Sequence, residues 1–251
     1  MYVNGAGVYD HLMGEAPYEE WLRWTKRYLE KEGITTPTIA DIGCGTGTLM
    51  SMLIAEGYDV QGIDVSQEML AIADEKIRAN NGVSPRLRTQ NMAALQLDEP
   101  VDVMIVYCDA LNYLLEETEV VEAFHAFYQN LKAGGGLLFD IHSLYKMKQE
   151  FPYFSYGDGG ENVALIWNSF PLEDMSNAVE HELTFFERQV NGHYLRYDEC
   201  HQQRTFSIST YERWLQSAGF KDIEITADFE QKTPTATSER IFFTAKKAFH
   251  N

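Results

Sequence analysis

Between Thr38 and Ile141 short apolar runs alternate with segments of helical period. Thr38–Ile42 reads as a buried strand, and Thr48–Glu56 as a helix with Leu49, Met52 and Leu53 on one face. Tyr58–Asp64 is a second strand. Ser66 is a good N-cap because its hydroxyl can accept an orphan backbone N–H. Met69, Leu70, Ala73 and Ile77 follow at helical spacing until Asn80-Asn81-Gly82 stops them. Arg86–Thr89 is a weaker strand and Val101–Tyr107 a strongly apolar one. Val120–Leu131 reads as helix, and Ala133-Gly134-Gly135-Gly136 as a turn into strand Leu137–Ile141. Five strands separated by helices predict βαβ units, hence a doubly wound α/β fold around a mostly parallel sheet.

Beyond His142 the pattern changes. Residues 145–206 are rich in aromatic and β-type residues and show little helical period. Glu187–Val190 and His193–Tyr197 flank Asn191-Gly192, which predicts a type I′ hairpin in an antiparallel insertion. Helix returns over Ser209–Ala218, stopped by Gly219, with strands at about 220–229 and 239–246. A helix over Tyr18–Lys31 precedes the first strand, with Trp21, Leu22, Tyr28 and Leu29 apolar. The full expectation is a Rossmann-like, seven-stranded sheet with a C-terminal antiparallel hairpin.

Composition narrows the partners. The chain has 251 residues, enough to bury a full core without disulfides or metal. Cys44, Cys108 and Cys200 are far apart and form no C-x-x-C pair, so neither a disulfide framework nor a zinc-thiolate site is expected. Met1–Asp10 lacks the basic and apolar regions of a signal peptide, and no run approaches the roughly 20 apolar residues of a membrane span. A cytoplasmic location is expected, with no membrane partner. The formal net charge of -18 repels polyphosphates and argues against a nucleic-acid partner. The same charge can simply serve solubility. Self-association into a homodimer is left open.

The main chemical signal is Asp41-Ile42-Gly43-Cys44-Gly45-Thr46-Gly47, at the junction of the first strand and its helix. Glycines there allow a tight turn and close approach of a ligand to the backbone. The second strand ends in Asp64, where an acidic residue can accept from a ribose hydroxyl pair. The dinucleotide fingerprint would need glycine or alanine at Thr48 or Met50, so the loop does not fit it. S-adenosylmethionine (SAM) has no pyrophosphate but carries an ammonium and a sulfonium, which Asp41 could complement.

The loop resembles motif I of the class I SAM-dependent methyltransferases. The wider chain resembles the small bacterial YqeM-like methyltransferases of the methyltransferase domain 25 type. The landmarks are V-Y-D-H-L-M at 8–13, G-I-D-V-S-Q-E-M-L at 62–70, C-D-A-L-N-Y-L at 108–114, L-F-D-I-H-S at 138–143, H-Q-Q-R-T-F at 201–206 and S-E-R-I-F-F at 238–243. The resemblance implies SAM as cofactor, with Gly43, Gly45 and Gly47 facing its methionine and ribose, and Cys44 in the same loop. It implies Asp64 on the ribose, Val65 over the adenine, and Tyr9 closing on the carboxylate. Asn91-Met92 stands where relatives often have Asp-Met against the adenine amino group; Asn91 keeps one acceptor oxygen. Met69 lies near this site but is equally placed for the core.

Cys108 and Asp109 end the fourth strand, where such folds bind ligands. Asp109 is a site residue or an N-cap, and Cys108 a cofactor-side wall. His142, after the fifth strand, is the catalytic candidate, able to exchange a proton near neutrality; the alternative is a structural histidine. In the insertion, His181, Glu182, Glu199, His201 and Arg204 are candidate polar contacts, and Trp167 and Tyr197 candidate ring faces. Arg204 would suit an acceptor carboxylate. The expected domains are 1–144 with 207–251 for SAM, 1–36 of them a helical lid, and 145–206 as the acceptor-side cap. The expected reaction is methyl transfer to an N or O nucleophile of a small molecule. Alternatives are a non-catalytic SAM- or S-adenosylhomocysteine-binding partner protein, an RNA methyltransferase, and an NAD-dependent oxidoreductase.

Overall fold

A computed structural model describes residues 6–14 and 16–249. Residues 1–5 of the expected lid lie outside the described residues. Helices α1 (Ala6–Leu12) and α2 (Tyr18–Glu32) come first. Strands β1 (Thr38–Ile42), β2 (Asp59–Asp64), β3 (Arg86–Thr89), β4 (Val101–Val106) and β5 (Leu131–His142) then alternate with α3 (Thr48–Ala55), α4 (Gln67–Asn81) and α5 (Glu117–Asn130). The insertion carries β6 (Ser155–Gly159), β7 (Val163–Pro171), β8 (Ala178–Arg188) and β9 (Tyr194–Arg204). Helix α6 (Ile208–Ala218) and strands β10 (Phe220–Ala227) and β11 (Arg240–Lys247) complete the order.

The main sheet has seven strands in the order β10-β11-β5-β4-β1-β2-β3. Strands β1 to β5 pair in parallel, whereas β11 runs antiparallel to β5 and β10. The expected fold class is therefore the observed one. The direction of strand addition reverses between β1 and β4, which opens a crevice at the carboxyl ends there. The insertion forms its own antiparallel sheet, β6-β7-β8-β9.

Strands buried on both faces explain the near-continuous apolar runs. In β4, Met104 and Val106 join one core with Phe124, Phe139, Tyr211 and Phe243. Val103 and Ile105 point the other way, to Trp21, Leu29, Met50 and Leu53. Phe139 and Phe243 are register partners on neighbouring strands, and their rings stack at 4.7 Å.

Helix ends follow local chemistry. Ser66 Oγ accepts from Met69 N at 3.2 Å, and Gly82 closes α4 in the left-handed region, as expected. Helix α5 begins three residues earlier than the apolar period predicts, because Glu116 and Glu119 form a capping box. The glycine run at 134–136 is part of β5 rather than a turn. A Cβ on Gly136 would collide with the Tyr28 hydroxyl, so this glycine buys close packing of α2 on the sheet. The predicted type I′ hairpin is corrected. Of the Asn191-Gly192 pair only Gly192 has positive φ, and Gln189 exchanges backbone bonds with Gly192 and His193. That is a type I turn with a left-handed glycine closing a bulge.

Candidate functional site

The glycine loop and Asp64 meet directly. Gly43, Gly45 and Gly47 all have positive φ, a conformation that a side chain would strain. Asp64 Oδ2 accepts from Gly45 N at 2.9 Å, and its Oδ1 accepts from Ser66 N at 2.8 Å. One carboxylate thus holds the loop after β1 and the turn into α4. Burial raises its pKa, and the two backbone donors work against that rise.

These residues border a cavity of about 570 Å³ at the carboxyl ends of β1, β2, β4 and β5. Small-molecule sites run roughly 300–1,000 Å³. Of the sequence candidates, Tyr9, Gly43, Gly45, Asp64, Val65, Asn91, Met92, Cys108, Asp109 and His142 line it. Asp41 and Cys44 line a small adjoining recess, together with Tyr9 and Gly45. Gly47 is not brought to either lining. It stands at the start of α3, where a Cβ would press on Ala73 of α4 at 2.9 Å. Its conformation and packing account for it.

Asp41 is buried, and its Oδ2 has no hydrogen-bond partner among the described residues. Burial, with some help from Asp64, pushes its pKa up to about 7. A buried acceptor without a donor costs free energy unless something cationic or protonated meets it. That orphaned oxygen, beside the glycine loop, fits the ammonium end of SAM. Asn91 does two things: its Oδ1 caps the turn Met92–Ala94 through Ala93 N, at 2.9 Å, and the residue lines the cavity. Burial raises the thiols of Cys44 and Cys108 well above their ordinary range, so both are wall residues. Met69 is buried at the start of α4 and also borders the cavity.

A buried polar cluster closes the other side. Cys108 and Asp109 both have positive φ, an arrangement that costs of order 1–3 kcal/mol per residue for non-glycine side chains. Asp140 holds it: its Oδ1 accepts from Cys108 N at 2.9 Å and its Oδ2 from Asp109 N at 3.3 Å. Trp21 Nε1 donates to Asp140 Oδ1 at 3.0 Å, and Arg240 binds Oδ2. The Asp109 side chain caps no helix. It receives Arg240 Nη2 at 2.9 Å and Gln203 Nε2 at 2.7 Å, and lies 3.3 Å from His142 Nε2. Burial alone would raise its pKa; His142 and Arg240 outweigh that and hold it well below the usual carboxylate range.

His142 is buried, with its ring edge against Phe151. Asp109 can only accept, which assigns the ring proton to Nε2 and leaves a lone pair on Nδ1. Among the described residues, that Nδ1 has no partner. Burial lowers the His142 pKa despite the pull of Asp109, so the imidazole is neutral near pH 7.

The insertion supplies the far wall. His181, His201, Gln203 and Trp167 line the cavity from the inner face of its sheet. Gln203 Oε1 meets His181 Nε2 at 3.3 Å, and Trp167 Nε1 reaches His181 Nδ1 at 3.1 Å. Four candidates of the insertion fall elsewhere. Glu199 is buried outside the lining, its Oε2 3.3 Å from His201 Nε2. Glu182 is exposed on the outer face, Tyr197 bonds Glu187, and Arg204 is spent on the carbonyls of Leu115 and Ser176. An acceptor carboxylate therefore does not find Arg204. Gln203, Asp140, Arg240 and Trp21 were not singled out by sequence reasoning. For Asp140, Arg240 and Gln203 the signal was their place inside family landmarks; for Gln203 it was also its two-residue phase with His201.

Comparison with known proteins sets this geometry in a lineage. Residues 39–135 match the model of a methyltransferase domain. The chain is 45% identical over 247 residues to a putative methyltransferase of Geobacillus sp. (strain WCH70), covering 98% of this chain and 99% of that one. It is 38% identical over 250 residues to the putative methyltransferase YqeM of Bacillus subtilis (strain 168), covering 99% and 98%. Among solved structures, a SAM-dependent methyltransferase from Clostridium acetobutylicum superposes with a TM-score of 0.87 at 26% identity, covering 97% of each chain. SAM-bound CalS10 from Micromonospora echinaspora, described as an amino pentose methyltransferase, superposes at 0.74 with 19% identity, covering 99% and 98%.

Proposed function

Because the chain belongs to the SAM-dependent methyltransferases, in the branch of its YqeM-type relatives, we propose that it moves the SAM methyl group to an N or O nucleophile of a small molecule held under the β6–β9 sheet. One observation carries the reading: Asp64 ties the glycine loop to the α4 turn at the rim of the cavity, through bonds of 2.9 and 2.8 Å. Lone pairs of that carboxylate remain for a ribose. Asp41 Oδ2 takes the ammonium, Tyr9 closes over the methionine end, and Val65, Asn91 and Met92 border the adenine.

When bound, SAM supplies an activated methyl carbon on a sulfonium, so the protein's work is alignment and proton handling. His142 Nδ1 receives the proton that the acceptor loses, and Asp109 orients the ring through Nε2. The β6–β9 sheet serves as the acceptor-side cap over residues 145–206, and α1 as part of the lid. The amino pentose described for CalS10 accords with a small acceptor. The net charge of -18 opposes the alternative of an RNA substrate.

Calorimetry with SAM and S-adenosylhomocysteine, followed by labelled methyl transfer to fractionated metabolites and to tRNA, tests this. Asp64→Ala should weaken cofactor binding roughly 10- to 100-fold, the loss expected for hydrogen bonds to a charged group. Undiminished affinity in that variant, or label appearing only in tRNA, would overturn the reading.

A further inference from the structure

The charge beside His142 does not balance. Asp109 and Asp140 are both carboxylates, and a single guanidinium, Arg240, is shared between them. The His142 ring, 3.3 Å from Asp109, is neutral. The buried cluster therefore carries one net negative charge at the wall where the acceptor must sit. Among the described residues, the only other Lys or Arg lining the cavity is Lys146. It is taken by Glu239 at 2.9 Å and lies 5.4 Å over the Phe151 ring. Asp64 and Glu119 add further carboxylates to the lining. Among the described residues, an anionic acceptor would find no free cation here.

A second, independent observation points to what is missing. His142 is 5% exposed, lines the cavity, and its Nδ1 has no hydrogen-bond donor among the described residues. The wall thus lacks one positive charge and one N–H donor at the same place. Phe151 and Trp167 line the same cavity.

Resting on the methyltransferase reading above, we infer that the acceptor is a primary or secondary amine that enters as an ammonium and carries no carboxylate or phosphate. The ammonium donates to His142 Nδ1 and balances the Asp109–Asp140–Arg240 cluster. Its proton passes to Nδ1, which makes an imidazolium facing Asp109. The freed nitrogen pair forms the new N–C bond, the C–S bond breaks, and its electrons stay on sulfur. The product leaves as a methylated ammonium with S-adenosylhomocysteine, and His142 returns its proton to solvent. An alcohol would supply the donor but leave the charge of the cluster unmet.

The test uses the full chain saturated with S-adenosylhomocysteine. Benzylamine is titrated against benzoate, and glucosamine against glucosamine 6-phosphate, by calorimetry. Each amine should bind about tenfold or more tightly than its anionic counterpart, the order set by one ligand charge near a partly buried carboxylate. Asp109→Asn should erase that preference. Tyr113→Arg, at a half-exposed wall position, imports the missing cation and should raise affinity for the anionic members, which keeps the test independent of Asp109's part in folding. Equal or tighter binding of the anions, no binding of either amine at millimolar concentration, or an O-methylated product from labelled SAM would overturn the inference. Failure here with intact S-adenosylhomocysteine binding leaves the methyltransferase reading standing; loss of that binding removes both.

Discussion

Asp41 links folding, pH and cofactor binding in one side chain. Its carboxyl titrates near 3.8 when unfolded and at about 7 when folded. Between those values the folded state holds a proton that the unfolded chain has lost, so the Asp41 contribution to stability falls as pH rises from about 4 to 7 and is flat above. A cationic ligand needs the ionised form. SAM affinity should therefore rise with pH through 7, by up to about tenfold per unit below it, and Asp41→Asn should flatten the slope in calorimetry. His142 acts on the other end. His142→Gln should lower kcat roughly 10²- to 10⁴-fold, the usual share of a positioned base, while cofactor Kd stays within about twofold of the parent. Equal loss in Kd would mean that the ring serves structure instead. Both residues were legible beforehand, because an acidic residue before a glycine loop and a histidine ending a strand have positions fixed by the fold. Gln203 was signalled by its two-residue phase with His201 but not singled out, since which face of β9 turns inward depends on its pairing with β8.

Elements show where local rules were overridden. The reversed bend at Cys108-Asp109 is unfavourable by itself and is held by the Asp140 carboxylate, with Trp21 and Arg240 behind it. Arg240→Met should cost about 3–5 kcal/mol in urea unfolding, because two buried carboxylates lose the guanidinium they share. Gly192→Ala should cost only about 1 kcal/mol, through its left-handed conformation, and leave cofactor affinity unchanged. The hairpin was readable as a turn but not as a type, because Asn191 tolerates either sign of φ. Its side chain instead accepts from His193 N at 3.0 Å, which favours the bulged turn. The start of α5 was hidden for a similar reason: Glu116 and Glu119 are polar, so an apolar period cannot register them. Helix α1 is tethered to the glycine loop and α4 by Asp10, which accepts from Thr46 at 2.5 Å and pairs with Lys76 at 2.7 Å. Those are long-range contacts that no local pattern announces.

Across the whole molecule, the cavity joins pieces of chain from Tyr9 to Arg240. Occupying it should couple them. Saturation with S-adenosylhomocysteine at 100 times its Kd adds about 2.7 kcal/mol, and each kcal/mol shifts Tm by roughly 2–4 °C in a chain of this size. A melting shift of about 5–10 °C is therefore expected, and a shift near zero would contradict a shared site. The centre of the sheet was legible because β1, β4 and the end of β5 are buried on both faces and their apolar runs survive any reading frame. How the second sheet meets the first was not, since the bonds that join them, such as Asn112 Nδ2 to Arg204 O at 2.7 Å, lie between residues far apart in sequence.

Arg240 faces His142 across the β5–β11 pairing. Because β11 runs backwards, it delivers its first residue to the rim where its parallel neighbours deliver their last. The guanidinium's position is therefore a matter of frame rather than of loop shape. A slip of one residue would turn it to the opposite side of the sheet, whereas the connection before it can lengthen or shorten freely. Natural variation in this lineage should thus accumulate between 230 and 237 and spare the spacing from Arg240 to the paired Phe243.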